Sequence, residues 1–216
     1  MIKAISFDIG GTLIKPSEDE GLIQQLSMLS AENIEVVKLA YKEHFLTRRI
    51  SIEEFCKKTS ITQTIALDKI AQYYESKKPP VIWEDVPRVL EQLKRANIVL
   101  ITISNKSYMN PFNLNSYGLE PWFAQEIYSC DIGCAKPHIS IFRYAQQFLQ
   151  MKPYEIIHVG DSYVSDYLGA RKVRWNSVLL NRCYDHIPIQ SNIFTIESLY
   201  DFPYYLQAFS GTVKLK

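Results

Sequence analysis

The chain has 216 residues, 47% hydrophobic and 22% charged, with a formal net charge of +1. That is ordinary for a globular domain and gives no electrostatic case for nucleic acid or an acidic membrane surface. No apolar run approaches the roughly 20 residues of a membrane span, and "MIKAISFDIGG" lacks the apolar core and small-residue cleavage site of a signal peptide, so a cytoplasmic location is expected.

The first predicted element is "IKAISF", a short apolar run that reads as a buried strand ending at Asp8 and the Gly10-Gly11 turn. Residues 16–80 then change character. Glycine occurs there once, at Gly21, and apolar residues recur at helical spacing, as in Val36, Leu39, Ala40 and Phe45. "SIEE" at Ser51–Glu54 has the form of a capping box, in which the Ser51 hydroxyl and the Glu54 side chain each satisfy a backbone N–H. "KKPP" closes this all-helical insert. Afterwards strands and helices alternate: "WEDVPRVLEQLKRAN" (helix), "IVLITIS" (strand), "PHISIFRYAQQFLQ" (helix), "EIIHVGD" (strand), "YVSDYLGARKV" (helix), "NSVLLN" (strand) and a last helix within "IESLYDFPYYLQAF". Such alternation predicts an α/β fold, a Rossmann-like parallel sheet with helices on both faces. The expected domains are an α/β core of residues 1–15 and 81–216 and a small helical cap of residues 16–80, inserted after the first strand.

Four cysteines are present, Cys56, Cys130, Cys134 and Cys183. "CDIGC" has no second Cys/His pair to complete a metal site, so unpaired buried thiols are expected.

In an open α/β sheet, ligands bind beyond the carboxyl ends of the strands. Asp8 ends the first predicted strand, Ser104 and Asn105 the second, and Asp161 the third, with Asp166 five residues further on. Lys136 precedes a helix in "GCAKP". Carboxylates, hydroxyls and one lysine on the same edge suit Mg²⁺ and phosphate: hard oxygens hold the metal and the lysine balances phosphate charge.

Together "FDIGGTL", "ITISN", "GCAKPHISIF" and "HVGDSYVSDYLGA" resemble, in order, the four motifs of the haloacid dehalogenase-like (HAD) hydrolases, and the insert falls where that family carries a cap. The resemblance implies an enzyme acting on a small phosphorylated substrate with Mg²⁺ as cofactor. Asp8 would be the nucleophile that becomes an aspartyl-phosphate, with Lys136 beside it in the catalytic set. The Gly10 carbonyl would bind Mg²⁺ with Asp8 and Asp161, and Asp166, grouped with these carboxylates, would orient Asp161 or Lys136. Thr12, Ser104, Asn105 and Lys136 would hold the phosphoryl oxygens, with backbone N–H groups around Gly11. The dehalogenase branch lacks this carboxylate cluster, so the two acids of "GDSYVSD" argue against dehalogenation.

The chain departs from the family at Gly10, where HAD phosphatases usually carry an aspartate that protonates the leaving oxygen and later activates water. General acid–base catalysis is typically worth about 10²–10⁴ in rate, so slow or leaving-group-selective turnover is expected. His44 or Glu43 in the insert could supply the acid, Arg48 and Arg49 could read substrate, and Lys38, Lys42, Lys57 and Lys58 leave open the imine chemistry of the phosphonate-cleaving branch. The alternative is an impaired HAD-fold protein that binds a phosphorylated ligand or a protein partner. "DIGGT" also resembles the first phosphate loop of actin-like sugar kinases. That fold needs a second glycine-rich loop, and the only Gly-Gly pair here is Gly10-Gly11.

Overall fold

The computed structural model describes residues 1–15, 21–182 and 193–210, and the side chains among them up to residue 206. The start of the expected cap, residues 16–20, and Cys183 lie outside the described residues.

Ala4–Phe7 (β1) is fully buried, as its unbroken apolar character requires of a strand covered on both faces. Successive side chains of such a strand enter opposite layers. Ile5 and Phe7 join one apolar cluster, with Val86, Leu90, Val159 and Phe202, whereas Ala4 joins another, with Ile101, Phe142, Ile156 and Trp175. Around β1 lie Val99–Ser104 (β2), Gln125–Tyr128 (β3), Ile156–Gly160 (β4), Asn176–Leu180 (β5) and Thr195–Ile196 (β6). All pair in parallel, in the order β3-β2-β1-β4-β5-β6, with Ala4 opposite both Val99 and Ile156. The expected fold class is therefore observed.

Between β1 and β2, helices α1 (Leu22–Ser27), α2 (Ile34–Tyr41), α3 (Ile52–Thr59) and α4 (Gln63–Ser76) enclose an apolar cluster of their own, centred on Leu26, Phe45, Phe55 and Ile70. The Asn33 side chain caps α2 and Ser51 caps α3, accepting from Glu54 N at 3.2 Å. The other half of the expected capping box is replaced: Glu53 bonds Ser51, and Glu54 lies 3.7 Å from Lys58. Helix α5 (Val86–Arg95) and α9 (Phe202–Ser210) cover one face of the sheet. After the single turn α6 (Ser129–Ile132), helix α7 (Ile139–Leu149) and the short α8 (Gly169–Lys172) cover the other.

The expectation of one continuous helix over "YVSDYLGARKV" is corrected. Tyr163–Leu168 form a wide π-helical turn before α8 begins. Such turns occur often at functional sites, and this one carries Asp166. A second, Lys42–Leu46, follows α2 and carries His44. Two strands escape the sequence pattern: β3 is half polar and β6 has only two residues.

Phe142 is fully buried, edge-on to Trp175 and His158 with ring centroids 5.7 and 5.3 Å apart. Phe142→Ala is expected to lower stability by about 3–5 kcal/mol, measured by denaturant unfolding. A loss under about 1 kcal/mol would mean that α7 does not support the sheet through this ring.

Candidate active site

The parallel sheet brings the ends of β1, β2 and β4 to one edge. Asp8 is fixed there by its backbone N–H, which donates to Val159 O at 2.9 Å. Lys136 reaches the edge from the loop before α7 and is almost fully buried, with Nζ 2.7 Å from Asp8 Oδ1 and 2.6 Å from Asp166 Oδ1. Asp161 completes the group: ligand oxygens of Asp8, Asp161 and Asp166 lie within 4.8 Å of one another. Thr12 Oγ1 lies 3.5 Å from Asp161 Oδ1, and Ser104 is half-buried at the end of β2.

Two glycines make this approach possible. Gly11 has φ +74°, and a Cβ there would sit 2.2 Å from Asp161 Oδ2. A Cβ on Gly160 would sit 2.3 Å from Asp166 Cγ. Gly10 differs: among the described residues nothing beyond its chain neighbours lies within 4 Å of where its Cβ would be, and its φ is outside the left-handed region. Neither space nor backbone strain demands glycine at that position.

The charges are strongly coupled. Burial works against the Lys136 ammonium, but Asp166 and Asp8 overcome it and raise its pKa. Burial would also raise Asp166, yet Lys136 and His158 hold it well below the usual carboxylate range. Asp8 is raised by burial, with Lys136 opposing. Water is partly excluded from the Asp161 carboxyl, and Asp8 and Asp166 add their repulsion, pushing it up to about 7, although the residue as a whole is open to solvent. Three carboxylates against one ammonium leave negative charge in excess.

Asp166 is 1% exposed, not the ordinary polar helix residue its position in the sequence allows. Besides Lys136 it accepts from His158 Nε2 at 3.0 Å and Ser162 N at 3.0 Å, so its oxygens serve positioning more than ligation. Because an ionised carboxylate only accepts, His158 Nε2 carries a hydrogen. His158 Nδ1 meets Ser6 Oγ at 3.0 Å. Sequence reading missed His158; its signal is a lone histidine inside the apolar strand "IIHVG". Asn105, expected at the phosphate, is engaged with the Lys136 backbone instead, accepting from its N–H at 2.7 Å and donating to its carbonyl at 3.0 Å. It aims the lysine.

The insert's candidate residues are also committed elsewhere. His44 is buried, with Nδ1 2.8 Å from Ile50 O and Nε2 2.8 Å from Tyr108 Oη, so it joins the insert to the loop after β2. Glu43 pairs with Lys58 at 2.7 Å. Arg48 lies over the Tyr108 ring and Arg49 donates to Gly133 O. Lys38, Lys42 and Lys57 are exposed, and the hydrogen bond to Glu43 raises Lys58, so none sits in the buried pocket that activates an amine for imine chemistry. Cys130 and Cys134 are buried free thiols, as expected.

A stability signature follows from Asp161. Between about pH 4 and pH 7 the folded protein keeps a proton that the unfolded chain has released, so stability falls as pH rises through that window. Solvent screening limits the effect to about 1 kcal/mol, or about 2–4 °C in Tm. Asp166 acts oppositely and loses its contribution only as pH falls below about 4. Asp8, also raised, adds a decline of the same sign, so melting curves in chelator should fall more steeply with pH in the wild type than in Asp161→Asn; equal slopes would rule out Asp161 as a source.

A family model described as haloacid dehalogenase-like hydrolase matches residues 2–174. The mouse haloacid dehalogenase-like hydrolase domain-containing protein 3 is 33% identical over 112 residues, covering 50% of this chain and 45% of its own. The Xenopus laevis protein of the same name is covered to 46%, so the chain spans about half the length of these relatives. Glyceraldehyde 3-phosphate phosphatase of Methanopyrus kandleri is 28% identical over 208 residues, covering 84% and 85% of the two chains. Among solved structures, 2-haloacid dehalogenase from Pseudomonas syringae has a TM-score of 0.69 at 19% identity, over 97% of this chain and 100% of its own. A HAD phosphatase from Thermococcus onnurineus has 0.64 at 22%, over 95% and 98%. These structural likenesses establish the fold. With the family match spanning most of its length, the chain belongs to the haloacid dehalogenase-like hydrolases.

Proposed function

We propose that the protein is a Mg²⁺-dependent phosphohydrolase acting on a small phosphorylated molecule through an aspartyl-phosphate on Asp8, with residues 16–80 as a cap over the site. The observation that carries this reading is the buried Lys136 ammonium held between Asp8 and Asp166, with Asp161 alongside. The relative named a glyceraldehyde 3-phosphate phosphatase supports a small phosphate ester as substrate.

The donor set fits Mg²⁺: all hard oxygens, clustered within 4.8 Å, and with one carboxyl raised to about 7 by burial and by the neighbouring negative charge, which a cation would relieve. Asp8, Asp161 and the Gly10 carbonyl would hold the ion, which when bound supplies positive charge that keeps the carboxylates ionised and attracts phosphoryl oxygens. Lys136, Thr12, Ser104 and the N–H groups around Gly11 orient the phosphoryl group. The Asp8 carboxylate attacks phosphorus as the bond to the leaving oxygen breaks. Water then attacks the aspartyl-phosphate, the bond to Asp8 breaks, and phosphate leaves. Asp166 positions Lys136, Asn105 holds the lysine's backbone, and His158 steadies Asp166.

Gly10 stands where the family's acid/base aspartate usually stands, and neither His44 nor Glu43 is placed as a substitute. The first step should therefore depend steeply on the leaving group: kcat/KM is expected to be low for alkyl phosphates and higher for aryl or acyl phosphates. The open space at Gly10 admits a side chain, so Gly10→Asp should raise kcat/KM for an alkyl phosphate by about tenfold, part of the ~10²–10⁴ available from acid–base catalysis. An unchanged rate with unchanged Mg²⁺ affinity would show that proton transfer is not the deficit. It would then favour the reading as a binder of phosphorylated ligands.

A further inference from the structure

Thr12 has two ends that matter. Its hydroxyl faces Asp161, and its backbone carbonyl accepts a hydrogen bond from Arg182 Nη2 at 3.0 Å. Arg182 lies just past β5, 170 residues along the chain, and its side chain is 6% exposed. The other face of its fork is gripped by Asp85, with Nη1 2.8 Å from Oδ2 and Nη2 2.9 Å from Oδ1. Asp85 is in turn fixed by the Ser198 hydroxyl and Leu199 N–H, each at 2.8 Å. The guanidinium also lies 4.4 Å over the Trp83 ring, and Trp83 N donates to Leu13 O at 3.1 Å. Two remote segments thus hold the Thr12–Leu13 and Leu13–Ile14 peptides, Arg182 on one and Trp83 on the other, with Ser198 and Leu199 fixing Asp85 behind them.

We infer that Arg182, locked by Asp85, is a positioning residue for the loop that takes the phosphoryl group: it sets the Thr12–Leu13 peptide and with it the Thr12 hydroxyl. This rests on the phosphohydrolase reading above. It explains why a bidentate, desolvated ion pair stands behind the loop, where an apolar contact would serve stability equally well. Arginine is required because one planar fork must satisfy a carboxylate and a carbonyl together. Lysine could keep the charge pair but has no fixed second arm for Thr12.

Arg182→Lys tests it, with three readouts: Tm, orthophosphate affinity by calorimetry in the presence of Mg²⁺, and KM and kcat on an aryl phosphate. The expected result is a Tm within a few degrees of wild type with orthophosphate affinity and 1/KM lower by about tenfold or more. A merely structural role would lower Tm or the active fraction and leave KM and orthophosphate affinity unchanged, and that result overturns the inference alone. Wild-type protein that neither binds orthophosphate nor turns over substrate overturns the phosphohydrolase reading and this inference together. Should Arg182→Lys show no cooperative melt, Asp85→Asn carries the same measurement: it leaves Arg182 in place and loosens the fork. Unchanged orthophosphate affinity in a folded Asp85→Asn protein counts against the inference, and a reduced affinity supports it.

Discussion

A buried lysine between two carboxylates sets the constraint on which this molecule is organised. An ammonium removed from water is unfavourable unless it is paired and hydrogen-bonded, and Lys136 meets that condition only where Asp8 and Asp166 converge. That convergence requires parallel β1 and β4 side by side, a loop before α7 that reaches across them, and a wide turn that swings Asp166 inward. Asn105 then ties the end of β2 to the lysine's backbone. Removing Asp8 or Asp166 leaves the buried ammonium short of a partner, and removing Asn105 leaves the lysine's backbone groups unpaired, which is why the fold and the site are one problem.

The opposing charges also explain the division of labour among the acids. Asp166 is enclosed by donors and stays ionised. The Asp161 carboxyl is partly cut off from water and faces two other carboxylates, so it is the group whose charge is least balanced. A cation on the solvent side would relieve that repulsion, and in the proposed reaction a phosphate ester would arrive there too. Gly11 and Gly160 exist at this site because side chains there would collide with the acids, whereas Gly10 is not required by packing. On the proposed reading its consequence is chemical: the loop keeps its carbonyl and lacks a proton carrier.

Much of this was legible in the sequence because it resides in contiguous pattern. β1, β2, β4 and β5 are apolar runs, and Asp8, Ser104 and Asp161 stand at their ends. β3 was hidden because "QEIY" lies at the sheet edge, where half its side chains are polar, and β6 because two residues carry no periodicity. Asp166 is expected at the site from the motif it sits in, but the spacing alone equally allows a polar helix face, and it is the π-helical turn that buries it. His158, Asn105 and the Asp85–Arg182 pair act through contacts across 8, 31 and 97 residues, which no local spacing encodes. His44 was misleading for the same reason: its partner Tyr108 is 64 residues away.

The central claim concerns a covalent bond on Asp8. Without an acid/base side chain at position 10, hydrolysis of the aspartyl-phosphate should be slower than its formation from a good leaving group, so the intermediate accumulates. The direct measurement is rapid acid quench of the protein with Mg²⁺ and an aryl phosphate, followed by mass spectrometry of the peptide containing Asp8. An aspartyl-phosphate hydrolase gives one phosphoryl group on Asp8 within the first turnover, absent from Asp8→Asn. Turnover at the same rate with no phosphoryl group on Asp8 would contradict it.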